Sequence, residues 1–270
     1  MTPRELFDAD DVLVGMVHLP GLPGAPRYGG DRDEIRATAL ADARALVESG
    51  FDAFLVENFG DAPFYPGEVP THVVAELTAV CRELDIATDV PFGVNVLRND
   101  ASGALAVAAA AGGSFVRTNV HTGVRETDQG FLEGRAHETL RLRERVDADV
   151  SIFADVGVKH SASVAKRNLG AVAEETVDRG LADALVVSGP ATGEPADDRR
   201  LRTVLDARDD ADRDVPVLVG SGVTPENAAA MLELADGAIV GTALKRGGVT
   251  SNRVDPDRAA ALVEAAGRDG

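Results

Sequence analysis

Eight apolar runs of strand length recur along this chain, at 12–18, 52–57, 91–97, 114–118, 150–155, 183–187, 216–219 and 236–240, with helical patterns between them. Most are almost continuously apolar. That suits parallel strands covered on both faces, whereas a strand with one wet face would alternate. Parallel neighbours need a crossover, usually a helix. Residues 33–49 supply one, with a stripe of Ile35, Ala39, Leu40, Ala43, Leu46 and Val47 and a stop at Gly50. Thr224-Pro225-Glu226 and Asp255-Pro256 each read as a helix start, with a capping side chain followed by proline. Eight βα units in regular alternation favour a closed (β/α)₈ TIM barrel, α/β in class, and 270 residues suffice for one. An open doubly wound sheet is the alternative. No linker or low-complexity tract divides the chain, so residues 1–270 are expected to form one domain.

The last two runs end at Gly220-Ser221-Gly222 and at Gly241-Thr242. Small-residue turns after neighbouring parallel strands expose backbone N–H groups, which bind anions well. In TIM barrels a phosphate is frequently held by the loops after strands seven and eight. A doubly wound sheet would instead carry its phosphate loop after the first strand. Glycine also serves simply to permit a tight turn.

If the fold is a barrel, the chemistry lies where strands end at one rim. The candidates there are His18, Glu57 with Asn58, Asn95, Arg117 with Asn119 and His121, Asp155 with Lys159 and His160, and Ser188. Glu57, Asp155, His18 and Lys159 are the candidate catalytic groups. A carboxylate ending an apolar strand is costly unless it is bound or hydrogen-bonded. Glu57 and Asp155 therefore suit acid–base work, or Mg²⁺ held together with a substrate phosphate. Each is equally consistent with a hydrogen-bonded rim carboxylate. Lys159 suits an anion contact or a Schiff base. Arg117 suits bidentate anion binding, or an ion pair with Glu57 or Asp155. The amides suit hydroxyl or carbonyl recognition. His72 and His137 fall on helices and read as surface residues. The segment 119–135 reads as a long loop, a lid or subunit contact.

Aspartate plus glutamate number 45 against 27 lysine plus arginine, a net charge of −18, and only three of the basic residues are lysines. Such an acidic, lysine-poor surface resembles proteins of halophilic archaea, where salt screens self-repulsion. It disfavours nucleic acid and anionic lipid as partners. No apolar run is long enough to span a membrane, and the acidic N-terminus lacks a signal-peptide core. The one cysteine, Cys81, sits on a helical apolar stripe and reads as a buried thiol. A cytoplasmic location is expected.

Five segments in order, MVHLPGLPGAPRYGG, ENFGDAPF, FVRTNVHTG, DVGVKH and SGPATG, resemble the BtpA/SgcQ family over nearly the whole chain. The resemblance implies a TIM barrel. That family takes its name from a cyanobacterial factor needed for stable photosystem I, and some members are regarded as nucleoside triphosphatases. Three functions stay open: an enzyme acting on a phosphorylated small molecule (sugar phosphate or nucleotide; lyase, isomerase or phosphohydrolase), a non-catalytic assembly factor, and a triphosphatase. The last would work without a P-loop, since no GxxxxGK[ST] occurs. A homo-oligomer is expected.

Overall fold

The computed structural model describes residue 7 and residues 11–158, 161–189 and 197–268. Eight parallel strands close into a barrel: β1 (Val12–His18), β2 (Ala53–Glu57), β3 (Phe92–Asn95), β4 (Phe115–Thr118), β7 (Ser151–Asp155), β9 (Ala184–Val187), β10 (Val217–Val219) and β11 (Gly237–Val240). They follow one another around the ring in chain order, and β11 pairs with β1 to close it. Every expected strand is present, with ends within two residues of expectation. The outer helices are α1 (Arg32–Glu48), α2 (Thr71–Ala87), α3 (Ala101–Ala111), α4 (Ala136–Arg145), α5 (Leu169–Asp178), α6 (Asp198–Asp209), α7 (Ala228–Leu232) and α8 (Pro256–Ala265).

Side-chain alternation along each strand separates two nested cores. Inward residues, among them Met16, Leu55, Phe115, Phe153, Val186, Leu218 and Ile239, fill the barrel. Phe7 packs edge-on against Phe115 and Phe153, with ring centres 5.7 and 6.1 Å away. Outward residues such as Leu13, Phe54, Val94 and Ile152 meet the helices, including Cys81 on α2. Burying a large apolar side chain contributes about 1.5–3 kcal/mol over leaving it exposed. The two cores together therefore fix strand order and register before any rim residue matters.

The helix signals are read correctly at α1, where Gly50 follows with φ 91°, and at α8, where the Asp255 carboxylate accepts from Asp257 N–H and proline is the first helical residue. Two expectations need correction. The helix expected from Thr224 begins at Ala228, because Asn227 folds back to accept from Thr224 N–H and to donate to the Gly222 carbonyl. The expected loop 119–135 contains a hairpin, β5 (Val124–Thr127) and β6 (Gly130–Glu133), which joins β8 (Ala162–Ser163) in an antiparallel sheet outside the barrel. Leu132 packs with Val120 and Val158 in a small cluster apart from both main cores.

Candidate active site at the barrel mouth

Two positions beyond the inner-core residues, the same alternation brings one residue of every strand to the mouth: His18, Glu57, Asn95, Arg117, Asp155, Ser188, Gly220 and Gly241. Six are polar, and the two glycines immediately follow the neighbouring strands β10 and β11. In the ring of eight, β10 and β11 stand opposite β3 and β4. A cavity of about 850 Å³ opens over this ring, within the range of small-molecule sites.

The glycine side is tightly built. A side chain at Gly220 would collide with Val186 and with the Ser188 hydroxyl. At Gly241 a methyl group would instead lie 3.4 Å from His18 Cε1 and Met16. Ser221 Oγ accepts from Gly189 N–H at 2.9 Å, and Thr242 Oγ1 shares a 2.9 Å hydrogen bond with Thr250. Gly222 turns the chain at φ 74°. All five turn residues border the cavity, and Arg258 borders it beside them.

On the adjoining flank, His18 Nε2 lies 3.7 Å from Glu57 Oε1, and the ring stacks on Phe59 with centres 4.7 Å apart. His18 Nδ1 lies 3.1 Å from the Thr250 carbonyl. A carbonyl only accepts, so Nδ1 carries hydrogen and Nε2 is the nitrogen that faces Glu57. Both side chains border the cavity, and together they are equipped to move a proton.

Rooted on β4, the Arg117 guanidinium reaches the Gly220 side of the mouth, where a Cβ would lie 3.3 Å from Nη2. It donates to both Asp155 oxygens, at 3.0 and 3.1 Å, and to Ser188 Oγ at 3.3 Å. Asn119 Nδ2 donates to Asp155 at 2.9 Å. Burial alone would lower the Arg117 pKa, but the Asp155 carboxylate outweighs it and the value is raised. Arg117 and Asn119 border the cavity, whereas Asp155 stands behind them. Strands β3 and β4 separate Asp155 from Glu57 in the ring. No group of three or more His, Cys, Asp and Glu side chains suited to a metal occurs among the described residues. Asp155 is thus committed to Arg117, which leaves it poorly placed to share Mg²⁺ with Glu57.

Three expected ligands have other partners. Asn58 Oδ1 accepts from Leu97 N–H at 2.7 Å and its amide donates to Asp61 at 3.0 Å. Asn95 donates to the Arg117 carbonyl at 2.8 Å. His121 Nε2 bonds the Gly180 carbonyl at 2.8 Å, away from the cavity lining. Burial lowers its pKa, opposed by the Gly180 hydrogen bond and by Asp183. Lys159 and His160 lie outside the described residues. His72 and His137 are exposed as expected.

Sequence reasoning passed over Arg98, Arg27, Asp128 and Gln129, all bordering the cavity. Arg98 was detectable as a cation three residues past a strand end. The hairpin residues were not, because the hairpin itself was read as loop. It also passed over Lys245, which is fully buried and donates to the Met16 carbonyl at 2.8 Å beside Asp42 at 3.7 Å. Burial lowers its pKa to about 8. The scarcity of lysine in this chain was the available clue.

The model of the BtpA family matches residues 9–268. An uncharacterized protein of Thermococcus kodakarensis is 46% identical over 254 residues, 94% of each chain. The photosystem I biogenesis protein BtpA of Synechocystis is 41% identical, covering 97% of this chain and 90% of its own. SgcQ of Escherichia coli is 30% identical, covering 97% and 96%. Among solved structures, tryptophan synthase of Mycobacterium tuberculosis superposes with a TM-score of 0.61 at 21% identity, over 97% of this chain and 95% of its own. Phosphoribosylanthranilate isomerase of Pyrococcus furiosus gives 0.57 at 12%, over 95% and 98%. At these identities the likeness shows the barrel fold.

Proposed function

This chain belongs to the BtpA family, and from that premise we propose that it is an enzyme acting on a phosphorylated small molecule, a sugar phosphate or a nucleotide. The observation that carries this reading is the ring at the mouth: two neighbouring glycines on one side, and a histidine–carboxylate pair beside them, around one cavity. A bare scaffold has no need to bury those groups. In this reading the phosphate seats on Gly220, Ser221, Gly222, Gly241 and Thr242. Glu57 and His18 transfer protons at the reacting carbons. Arg117, held by Asp155, and Asn119 contact the substrate, and Lys159 remains a candidate anion ligand. The isomerase among the structural neighbours acts, by its name, on a phosphoribosyl compound, which is consistent with the reading. A cytoplasmic location and a homo-oligomeric state go with it; no helix among the described residues is long and apolar enough to cross a membrane.

The test is a phospho-metabolite screen by thermal shift, followed by titration of any hit against Gly241→Ala and Glu57→Gln. Gly241→Ala should fold normally, since its methyl meets only ordinary contacts, and should weaken binding about tenfold by narrowing the anion seat. Glu57→Gln should keep binding and lose about 100-fold or more in turnover. No hit across the screen would sink the proposal.

An assembly role is the second reading, drawn from the name of the Synechocystis relative. The outward face of the hairpin sheet carries exposed Val124, Phe131 and Val164, which suits a protein contact. It would gain if Glu57→Gln left the biological activity intact while a polar residue at Phe131 abolished it.

A further inference from the structure

We infer that the substrate carries a second anionic group, a carboxylate or another phosphate, and that Arg98 receives it across the cavity from the glycine turns. The inference rests on the phosphate reading above and adds the other end of the ligand. Arg98 follows β3, and β3 stands directly opposite β10 in the ring. Arg98 is 6% exposed and borders the cavity.

The position is built rather than incidental. Arg98 N–H donates to the Tyr65 carbonyl at 3.0 Å, and the preceding Leu97 N–H is held by Asn58. Asn99 donates to the Val120 and Glu133 carbonyls and accepts from Val120 N–H, so the loop is stitched to the base of the hairpin. The hairpin tip then brings Asp128 and Gln129 to the same cavity. Burial lowers the Arg98 pKa against the fields of Glu57, Asp155 and Asp128. A guanidinium at a cavity wall offers an arriving carboxylate or phosphate paired, charge-assisted hydrogen bonds. Glu57 and Asp155 belong to the barrel ring, whereas Asp128 sits on an exposed turn. Asp128 borders the same cavity, and a second anion reaching Arg98 meets it as a like charge.

The experiment compares three six-carbon probes by calorimetry: sorbitol phosphate with one anionic end, phosphogluconate with a carboxylate at the far end, and a hexose bisphosphate with a second phosphate. At least one doubly anionic probe should bind about tenfold or more tightly than sorbitol phosphate, and which one wins identifies the second group. Arg98→Met should erase that advantage and leave sorbitol phosphate within about threefold. Asp128→Asn, a change on an exposed turn that does not threaten the fold, should tighten the doubly anionic probe alone. Equal affinities in the wild type, with all three weakened by Gly241→Ala, would overturn the second-anion inference and leave the phosphate seat standing. Binding of none of the three would remove both.

Discussion

Each ring residue at the mouth does what its neighbours in space allow. Arg117 and Asp155 neutralise one another in a bidentate pair; removing either would strand a buried charge at a cost of about 3–5 kcal/mol. This pairing was one of the alternatives open in the sequence. The strand-end positions themselves were legible because the inward direction repeats every two residues. What a strand end does not reveal is where the next side chain finds a partner. Asn58 turns to Leu97, and in doing so positions Arg98 rather than a ligand. His121 turns to Gly180. There Nε2 carries hydrogen for the carbonyl, and buried Nδ1 has no partner among the described residues. Protonating Nδ1 in place would bury an unpaired charge, so the folded pKa lies below the ordinary 6.5. The unfolded chain then takes up a proton first as pH falls. The stability is fully present above about pH 6.5 and is lost below it, by up to about 1.4 kcal/mol per pH unit. Urea midpoints measured from about pH 7.5 to about pH 5.5 should show this loss, and His121→Gln should flatten it. An unchanged slope in that variant would assign the loss to another group.

Among the elements, the fully buried barrel strands and the longer helices were legible and the hairpin, whose strands are no shorter than most of the barrel's, was not. VRET and GFLE are four residues each, exposed over most of their length, and anchored inward chiefly by Leu132. A segment with so little apolar pattern carries almost no period-two signal. It is the tertiary surface, through Arg125 to Ser161 and Ser163, that holds the sheet together. Because Leu132 packs in a cluster separate from both main cores, its loss should act locally. Leu132→Ala is expected to raise amide exchange across 124–133 by about tenfold or more, with amides of β1 and β2 unaffected. Slowing or no change in the hairpin amides would contradict the satellite packing.

For the whole molecule, a net charge of −18 repels itself most strongly at low salt. Exposed pairs such as Arg32–Glu76 and Arg82–Asp85 offset little of this, since each contributes at most about 1 kcal/mol. Raising NaCl from roughly 0.1 to 1 M shortens the screening length from about 10 to about 3 Å. The thermal midpoint should therefore rise across that range; a midpoint that stays level or falls would mean that self-repulsion does not limit stability. The barrel, its eight strands and the family followed from the sequence alone, because apolar periodicity and strand-end residues are local properties written directly in the chain. The pairing of Arg117 with Asp155, the meeting of His18 with Glu57, the burial of Lys245 and the placing of Arg98 opposite the glycine turns were decided only by the closed tertiary structure. Those relations join residues 38 to 229 positions apart in the cases of Arg117 and Lys245. Ring closure, not local pattern, brings such distant positions into contact.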